Sequence, residues 1–286
     1  MNKLKIILEM IKFEHTLFAL PFALTSMVLA AHGFPGWGIL FWILVAMVGA
    51  RSAAMAFNRL VDREFDAKNP RTAMRALPAG LLTPKFVVWF IIASSALLVL
   101  AAWRLNPLAL MLSPLALLLV FFYSLTKRFT AWSHAWLGLA LAVAPVGAWV
   151  AVRGQLFEAP PLLLGASVVC WLIGFDTIYA LQDVEFDRNA GLNSLPVKFG
   201  PQRALTIGRI AHAIMVLLLV GVGFTAKLGF IWYGAVVLCG VLIAVEHAII
   251  KPDDLKRLNI AFFKINVAVG LLLLAGSILD VLIFRV

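Results

Sequence analysis

Charged side chains are scarce in this sequence, where 13% of the 286 residues are Asp, Glu, Lys or Arg and 63% are hydrophobic. So few charges cannot cover a water-exposed surface while the apolar groups hide in one soluble core. Linkers, low-complexity tracts and soluble domains are also missing from the sequence. These deficits exclude an ordinary soluble enzyme, and they predict an integral membrane protein with a single domain over residues 1–286.

Cysteine is nearly absent as well. The two cysteines, Cys170 and Cys239, both fall inside apolar runs of the sequence. Two isolated cysteines within membrane spans give neither a disulfide framework nor the spacing of a thiolate metal site. Disulfide-stapled and zinc-binding classes are therefore excluded.

Long apolar runs fill the rest of the chain, and each is about 17 to 25 residues long, enough to cross a bilayer as a helix. The runs cover residues 15–33, 37–60, 84–103, 107–125, 132–151, 160–182, 204–224, 228–250 and 261–283. The sequence therefore predicts an all-α bundle of nine transmembrane helices. We expect two four-helix halves, each with one polar motif, and a ninth helix.

The distribution of basic residues predicts the orientation of the chain. If the N-terminus is cytoplasmic, the outer side holds only Arg104, Arg153, Lys227 and Arg285. Because Lys and Arg concentrate in cytoplasmic loops, the N-terminus and the long loops are expected in the cytoplasm and the C-terminus outside the inner (cytoplasmic) membrane. Topology then explains the net charge of +10, and no nucleic-acid partner is expected.

The first polar motif lies at the predicted inner end of the second span. Asn58, Asp62 and Asp66 recur every four residues, and Arg51 precedes them by seven. At about 100° per residue, these side chains share roughly a quarter of one helix circumference. Asn69 stands before a proline, so the helix is expected to end there.

A second motif with the same spacing lies at the inner end of the sixth span. Asp176, Asp183 and Asp187 fall at offsets of seven and four, again on one helix face. An ionisable group near mid-membrane costs about 3 kcal/mol on insertion scales, so Arg51 and Asp176 are expected to be functional. The alternative is that these two residues pair with each other inside the bundle.

Carboxylates crowded in a low-dielectric pocket repel one another unless a cation lies between them. Mg²⁺ prefers hard oxygen ligands, takes one or two carboxylates and fills its octahedron with water and substrate phosphates. Arg71, Lys127, Arg128 and Lys198 supply basic side chains at the same predicted end. The residues therefore predict a site for the Mg²⁺-bound diphosphate of a lipid-soluble substrate, which indicates an isoprenoid.

On these residues the chain resembles the UbiA family of intramembrane aromatic prenyltransferases. The matching features are Asn58-x-x-x-Asp62-Arg-x-x-Asp66 with Arg71-Thr72 and Leu77-Pro78-x-Gly80, Tyr123-Ser-x-x-Lys127-Arg128, and Asp176-Thr-x-Tyr179-x-x-x-Asp183-x-x-x-Asp187 with Gly191 and Ser194. The resemblance covers essentially the whole chain. It implies transfer of a polyprenyl group from polyprenyl diphosphate to the ring of an aromatic hydroxy acid in respiratory quinone biosynthesis, with Mg²⁺ as cofactor.

The resemblance also implies roles for individual residues. Asp62, Asp66, Asp183 and Asp187 would hold the metal and the diphosphate, with Asn58 supporting the first pair and Arg71, Lys127 and Arg128 contacting the diphosphate. Asp176 would face the acceptor phenol or take its proton, and Tyr123 and Tyr179 would line the allylic cation. Arg51 would either bind the acceptor carboxylate or support the first Asp pair. No chemistry is assigned to any histidine, His134 included.

The identity of the acceptor stays open at this point. The resemblance suggests 4-hydroxybenzoate, but Arg59 stands where an Asp often follows the Asn of the first motif. Residues 51–80 are also similar to a menaquinone branch that uses the futalosine route, whose acceptor would be 1,4-dihydroxy-6-naphthoate. A secondary transporter is the alternative from another class, and it would show interrupted helices and acids near mid-membrane.

Overall fold

The computed structural model describes residues 3–12, 16–251 and 254–284, and within these ranges the regular elements are helices. They are α1 (Lys3–Met10), α2 (Thr16–Ala31), α3 (Trp37–Val61), α4 (Arg63–Lys68), α5 (Pro84–Leu105), α6 (Pro107–Thr126), α7 (Ser133–Arg153), α8 (Ala159–Ala180), α9 (Val184–Asn189), α10 (Leu195–Phe199), α11 (Pro201–Thr225), α12 (Phe230–Ile249) and α13 (Asn266–Phe284). Arg285 and the first residue of the first predicted span lie outside the described ranges.

The described helices confirm the predicted membrane bundle. Eight of them are long and apolar enough to cross a bilayer. The ninth apolar helix, α2, has 16 described residues. Each predicted span matches one of these helices to within a few residues, because an apolar run and its polar flanks define a membrane helix without reference to its neighbours. The chain is an integral membrane protein.

Polar residues just before α5 and α6 explain where these helices begin. Thr83 accepts a hydrogen bond from the Phe86 backbone at 3.2 Å, and Asn106 accepts one from the Ala109 backbone at 2.9 Å. A proline follows each cap at the first helical position, where its missing N–H is not needed. The Asn106 amide also donates to the Val150 carbonyl at 2.7 Å, which attaches the α5–α6 connection to α7.

The first four spans do not form a separate half of the bundle, contrary to the expectation from the sequence. Helix α3 packs mainly against α5 and α6, but α2 packs mainly against α7 and α13. An aromatic cluster also joins α2 to α8, in which Phe18 and Phe22 of α2 lie against Trp171 and Phe175 of α8. Helix α2 therefore packs mainly with the later spans.

Glycines set the closest helix contacts. A Cβ atom at Gly49 of α3 would lie 2.8 Å from the Leu98 backbone nitrogen of α5. A Cβ atom at Gly138 of α7 would lie 2.8 Å from the Val169 Cα of α8. In membranes, where lipid tails remove the hydrophobic drive between helices, such close backbone packing is a main source of association energy.

Both polar motifs contain a break in the helix that the sequence did not predict. Asp62 separates α3 from α4 with φ −94° and ψ 5°, and Asp183 precedes α9 with φ −108° and ψ 4°. These angles lie in the sparsely populated bridge region, where many active-site residues are found. Asp62 N still bonds Asn58 O at 3.0 Å and Asp66 N bonds Asp62 O at 2.8 Å. The first break is thus a kink in a continuing hydrogen-bond ladder, whereas a 3-10 turn, Leu181–Asp183, precedes the second.

A π-helical turn, Ile260–Ile265, precedes α13 and is stabilised by one buried amide. Asn266 donates to the Ala261 and Phe262 carbonyls at 2.9 and 3.2 Å and to Glu246 at 3.0 Å, and it accepts from the Trp171 indole. Because wide π turns leave carbonyls poorly paired, the amide fills a local deficit. The turn places Phe262 against Tyr179 with ring centroids 4.2 Å apart.

Candidate active site

One large cavity of about 560 Å³ lies between α2, α3, α5, α6, α7 and α8. Its lining includes all the residues that the sequence assigned to the site except Lys198, namely Arg51, Asn58, Asp62, Asp66, Arg71, Tyr123, Lys127, Arg128, Asp176, Tyr179, Asp183 and Asp187. Its walls continue as apolar side chains to Leu105 and Leu156 at the other end of the bundle. The cavity therefore has a charged end, which carries Asp62, Asp66, Asp183 and Asp187 and is called the mouth below, and a long apolar interior.

Asp62 lies at the mouth of the cavity between an amide and a guanidinium. Asn58 Nδ2 donates to Asp62 Oδ2 at 2.8 Å, and Arg128 donates to Asp62 Oδ1 at 3.2 Å and to the Val61 carbonyl at 2.7 Å. Burial raises the pKa of the Asp62 carboxyl above its ordinary value, and the Arg128 hydrogen bond only partly offsets this effect. A cation bound to these two oxygens would therefore stabilise the ionised form of the carboxyl.

Asp66 is the more buried carboxylate of the first motif. Arg75 donates to its Oδ1 at 2.7 Å, and Arg59 lies 3.9 Å from its Oδ2 and donates to Asn58 Oδ1 at 3.2 Å. Asp66 Oδ2 is buried and accepts no hydrogen bond. Arg59, which departs from the expected pattern of the motif, thus belongs to the charge set around Asp66.

Arg71 connects the loop after the first motif to the second motif. Its Nε and one terminal nitrogen bind both oxygens of Asp183 at 3.0 and 2.6 Å, and its other terminal nitrogen donates to Tyr179 OH at 3.1 Å. Burial alone lowers the pKa of Arg71, but the Asp183 and Tyr179 interactions outweigh it and raise the pKa overall. The guanidinium is therefore fully charged at the mouth.

Lys127 and Asp187 form the remaining pair at the mouth. Lys127 Nζ donates to Asp187 Oδ2 at 2.9 Å. Burial lowers the pKa of Lys127, but the neighbouring Asp187 more than compensates and the pKa is raised. The Asn193 backbone N–H donates to the Lys127 carbonyl at 2.7 Å, which holds the α9–α10 connection against the α6–α7 connection.

The sequence predicts that the four motif carboxylates are crowded together without protein partners. The structure differs from this prediction. Each carboxylate faces a basic side chain that another part of the chain supplies, and Arg75 takes the place that was expected for Lys198. Lys198 does not line the cavity and lies instead over the Phe199 ring. Acidic and basic groups are paired at the mouth, so a ligand there meets both signs of charge.

Arg51 and Asp176 do not pair with each other or with the motif carboxylates. Arg51 donates to the Lys12 carbonyl at 3.3 Å, and its Nε is buried without a hydrogen-bond partner. Asp176 Oδ2 lies 2.7 Å from Nδ1 of His134, which is fully buried at the start of α7. Arg51 therefore presents a cation to the cavity, and Asp176 is bonded to a histidine that the sequence analysis passed over.

Two tyrosines face the interior side of the mouth. The Tyr123 hydroxyl lies 4.0 Å from the Met55 sulfur, and Tyr179 packs on Phe262. Tyr179 also lies under the Arg71 guanidinium, whose central carbon is 5.5 Å from the ring centroid. Electron-rich ring faces at this boundary favour positive charge nearby.

Three functional candidates went unrecognised in the sequence, namely Arg59, Arg75 and His134. The sequence marks Arg59 only as a departure from the motif and gives Arg75 no role, because basic residues at inner helix ends usually reflect topology. A histidine immediately inside an apolar span, as at position 134, is costly without a partner. This cost predicts that the histidine has a polar partner, although the sequence does not show which carboxylate it is.

The oxygen atoms at the mouth fit a divalent cation that also binds a diphosphate. Among the described residues, no three His, Cys, Asp or Glu side chains are grouped to hold a metal ion by themselves. Mg²⁺ does not need such a cage, because one or two carboxylates and substrate phosphates suffice. The buried Asp66 Oδ2, which accepts no hydrogen bond, is the atom whose coordination a hard cation would complete.

Chemically, the arrangement can bind an anionic head at the mouth and an apolar tail in the interior. Fixed guanidinium and ammonium groups can stabilise a departing diphosphate, since preorganised charge costs no reorganisation during reaction. Asp176 and Arg51 line the same cavity, one able to accept a proton and the other able to bind an anion.

Comparisons with known proteins agree with this geometry. The family model described as the UbiA prenyltransferase family matches residues 19–268. The chain is 33% identical over 254 residues to 4-hydroxybenzoate octaprenyltransferase of Vibrio parahaemolyticus, covering 86% of this chain and 88% of that protein. It is 34% identical over 261 residues to 4-hydroxybenzoate octaprenyltransferase of Saccharophagus degradans, covering 91% of this chain and 86% of that protein.

Solved structures show the same fold. An apo UbiA homologue from Aeropyrum pernix K1 superposes with a TM-score of 0.84 at 34% identity, covering 93% of this chain and 98% of that one. A UbiA homologue from Archaeoglobus fulgidus bound to DMAPP and Mg²⁺ gives a TM-score of 0.69 at 21% identity, covering 97% and 99% of the two chains.

Proposed function

The chain belongs to the UbiA prenyltransferase family, and from this premise we propose that it transfers a polyprenyl group from polyprenyl diphosphate to 4-hydroxybenzoate in ubiquinone biosynthesis. The observation that carries the proposal is the convergence of both Asp motifs and their basic partners on the mouth of one otherwise apolar cavity. The names of the relatives in Vibrio parahaemolyticus and Saccharophagus degradans support 4-hydroxybenzoate as the acceptor.

The donor is expected to bind with its diphosphate at the mouth and its chain along the apolar wall. Arg71, Lys127 and Arg128 provide three cations from different elements, so they can surround a diphosphate on several sides. Below them the cavity is lined by side chains such as Leu112 and Leu141.

Asp62, Asp66, Asp183 and Asp187 are the residues that would hold Mg²⁺, with Asn58 orienting Asp62. When bound, Mg²⁺ neutralises negative charge on the diphosphate and makes it a better leaving group. A UbiA homologue from Archaeoglobus fulgidus has been solved with DMAPP and Mg²⁺, which supports a divalent cation as the cofactor. The motif carboxylates and their basic partners keep the leaving group fixed at the mouth.

The transfer breaks the allylic C–O bond, and the electron pair leaves with the diphosphate. The ring faces of Tyr123 and Tyr179 at the cavity wall favour the allylic cation. Asp176 takes the phenol proton of the acceptor, and the ring carbon ortho to the phenol oxygen bonds to the allylic carbon. The hydrogen on that ring carbon then moves to the phenol oxygen, which restores the aromatic ring, and Asp176 releases its proton to water.

Arg51 is the expected partner of the acceptor carboxylate. Of the two roles considered from the sequence, support of the first Asp pair finds no contact in the structure, because Asn58 and Arg128 bond Asp62 while Arg75 bonds Asp66. The Arg51 guanidinium lines the cavity with its Nε unpartnered. A guanidinium fork matches the geometry of a carboxylate, so the acid would be held by its carboxyl group.

The basic loops support an orientation in the inner membrane in which the mouth of the cavity and the N-terminus face the cytoplasm, with the C-terminus outside.

The transporter alternative lacks support in the described spans. The helix breaks at Asp62 and Asp183 fall at the polar ends of α3 and α8 rather than at their midpoints.

The proposal is tested by incubating the purified protein with Mg²⁺, geranyl diphosphate and either 4-hydroxybenzoate or 1,4-dihydroxy-6-naphthoate, with Asp62→Asn as the control. We expect prenylated 4-hydroxybenzoate from the unaltered protein and none from the variant. Product only with the naphthoate would replace the acceptor and keep the reaction. Absence of both products and of released diphosphate would overturn the proposed activity.

A further inference from the structure

Asp176 differs from the other acidic residues of the cavity in the kind of partner it has. The four motif carboxylates face Arg or Lys, whereas Asp176 faces the imidazole of His134. The hydrogen-bond partner of Asp176 is therefore a histidine ring nitrogen and not an arginine or lysine side chain.

The second contact of His134 identifies which ring nitrogen carries the hydrogen. The Leu195 backbone N–H, at the start of α10, donates to His134 Nε2 at 3.5 Å. A backbone N–H can only donate, so Nε2 accepts and Nδ1 bears the hydrogen that is directed at Asp176 Oδ2. The imidazole is thus a neutral donor with its tautomer set by α10.

The position of the pair suits proton transfer with the acceptor. His134 is fully buried behind the cavity wall, while the Asp176 side chain is 22% exposed and lines the cavity. The hydrogen bond occupies Oδ2, so Oδ1 is the oxygen left to accept a proton. Three elements, α7, α8 and α10, therefore fix one carboxylate oxygen relative to the cavity.

We propose that His134 is a positioning residue for prenyl transfer, which orients Asp176 so that Oδ1 takes the phenol proton of the acceptor. The inference rests on the proposed function, because it assumes an acceptor phenol. His134 does not touch either substrate, and its effect passes through Asp176. Loss of the imidazole hydrogen bond should slow the aromatic substitution while leaving the binding of the prenyl donor intact.

Two variants separate the two hydrogen bonds of the imidazole. In His134→Asn the amide nitrogen can take the place of Nδ1 and donate to Asp176, whereas in His134→Gln the amide reaches toward the place of Nε2 and Leu195. Because a general base contributes about 100- to 10,000-fold, we expect kcat in His134→Gln to fall about tenfold or more and to recover largely in His134→Asn. The KM for geranyl diphosphate should stay within about twofold in both variants.

A double-variant comparison distinguishes positioning from general structural support. If His134 acts through Asp176, adding His134→Gln to Asp176→Asn should cause little additional loss of kcat, since residues in one network are not additive. Equal kcat in His134→Asn and His134→Gln, or full additivity with Asp176→Asn, would overturn the inference. Failure of the unaltered protein to prenylate 4-hydroxybenzoate would instead refute the proposed function, so the two failures are distinguishable.

Discussion

Arg71 and Asp183 form a two-pronged ion pair between residues 112 positions apart, with nitrogen–oxygen distances of 3.0 and 2.6 Å. The pair joins the loop after the first motif to the kink in the second one. Each motif thus contributes to the geometry of the other, and the mouth of the cavity is a single unit although its halves are distant in sequence.

Replacement of Arg71 with Lys should impair donor use even though the charge is kept. A lysine ammonium cannot bind both Asp183 oxygens and Tyr179 OH at once, because it lacks the planar fork of the guanidinium. We expect kcat/KM for geranyl diphosphate to fall about tenfold or more, since the bidentate geometry adds energy and specificity that a point charge does not supply.

The matched control for this change is Arg63→Lys. Arg63 is half exposed on α4 and lies 3.7 Å from the exposed Glu64, outside the cavity lining. Its replacement should leave kcat/KM unchanged. Equal losses in the two variants would show that the Arg71 fork has no special role.

Removal of divalent cations should abolish prenyl transfer. We expect EDTA to stop both product formation and diphosphate release, and added Mg²⁺ to restore them, because the motif carboxylates and the diphosphate are both anionic. Asp66→Asn should raise the Mg²⁺ concentration for half-maximal activity about tenfold or more, since an amide is a weaker ligand for a hard cation.

Glu64→Gln is the control for the metal experiment. Glu64 lies on the same short helix as Asp66, but its side chain is 78% exposed. The Mg²⁺ dependence of this variant should match that of the unaltered protein. Prenyl transfer that continued in EDTA would contradict the role assigned to the four aspartates.

Arg51→Ala should weaken recognition of the acceptor acid. Removing a charged hydrogen-bond partner costs about 1.5 to 3 kcal/mol, which corresponds to roughly 10- to 100-fold in KM for 4-hydroxybenzoate. The KM for geranyl diphosphate should be nearly unchanged. Steady-state kinetics with each substrate varied in turn would measure both effects.

The methyl ester of 4-hydroxybenzoate provides the matched test of charge. The ester lacks the carboxylate, so the unaltered protein should use it poorly and Arg51→Ala should use it no worse. If the variant lost the same factor with acid and ester, Arg51 would act on the reaction centre or the fold and not on the carboxylate.

Asn266→Leu should destabilise the protein, and Asn266 itself does not line the cavity. The change leaves the Trp171 indole, one Glu246 oxygen and two carbonyls without their hydrogen-bond partner. Each unsatisfied buried group costs about 1 to 3 kcal/mol, so Tm in detergent should fall by several degrees. Asn259→Leu, at an exposed asparagine before the π turn, should leave Tm almost unchanged.

The spans were predictable, and so was the position of the motif residues around one cavity, but the pairings between distant residues were not. Apolar length alone defines a membrane helix, and the four-residue spacing of the aspartates places them on one helix face regardless of tertiary structure. The His134–Asp176 bond joins residues 42 positions apart, and the Arg71–Asp183 pair joins residues 112 apart. Such contacts depend on which helices become neighbours, and periodicity within one helix does not encode this.

The kinks at Asp62 and Asp183 show a different limit of sequence reasoning. Both segments read as uninterrupted helix, and neither contains a proline at the break. The two backbones nevertheless adopt nearly the same angles at the first aspartate of each pair. The two motifs resemble each other only weakly in sequence, through the spacing of their aspartates. They nevertheless share a backbone conformation.

The close approach of helices at Gly49 and Gly138 has a consequence for how this protein can evolve. In a water-soluble domain the positions least open to change are usually the largest core side chains, because their loss leaves cavities. Here one added methyl group at either glycine would push backbones apart along a whole helix pair. We expect natural variation to be restricted most strongly at such small residues, while large lipid-facing side chains drift freely among apolar types.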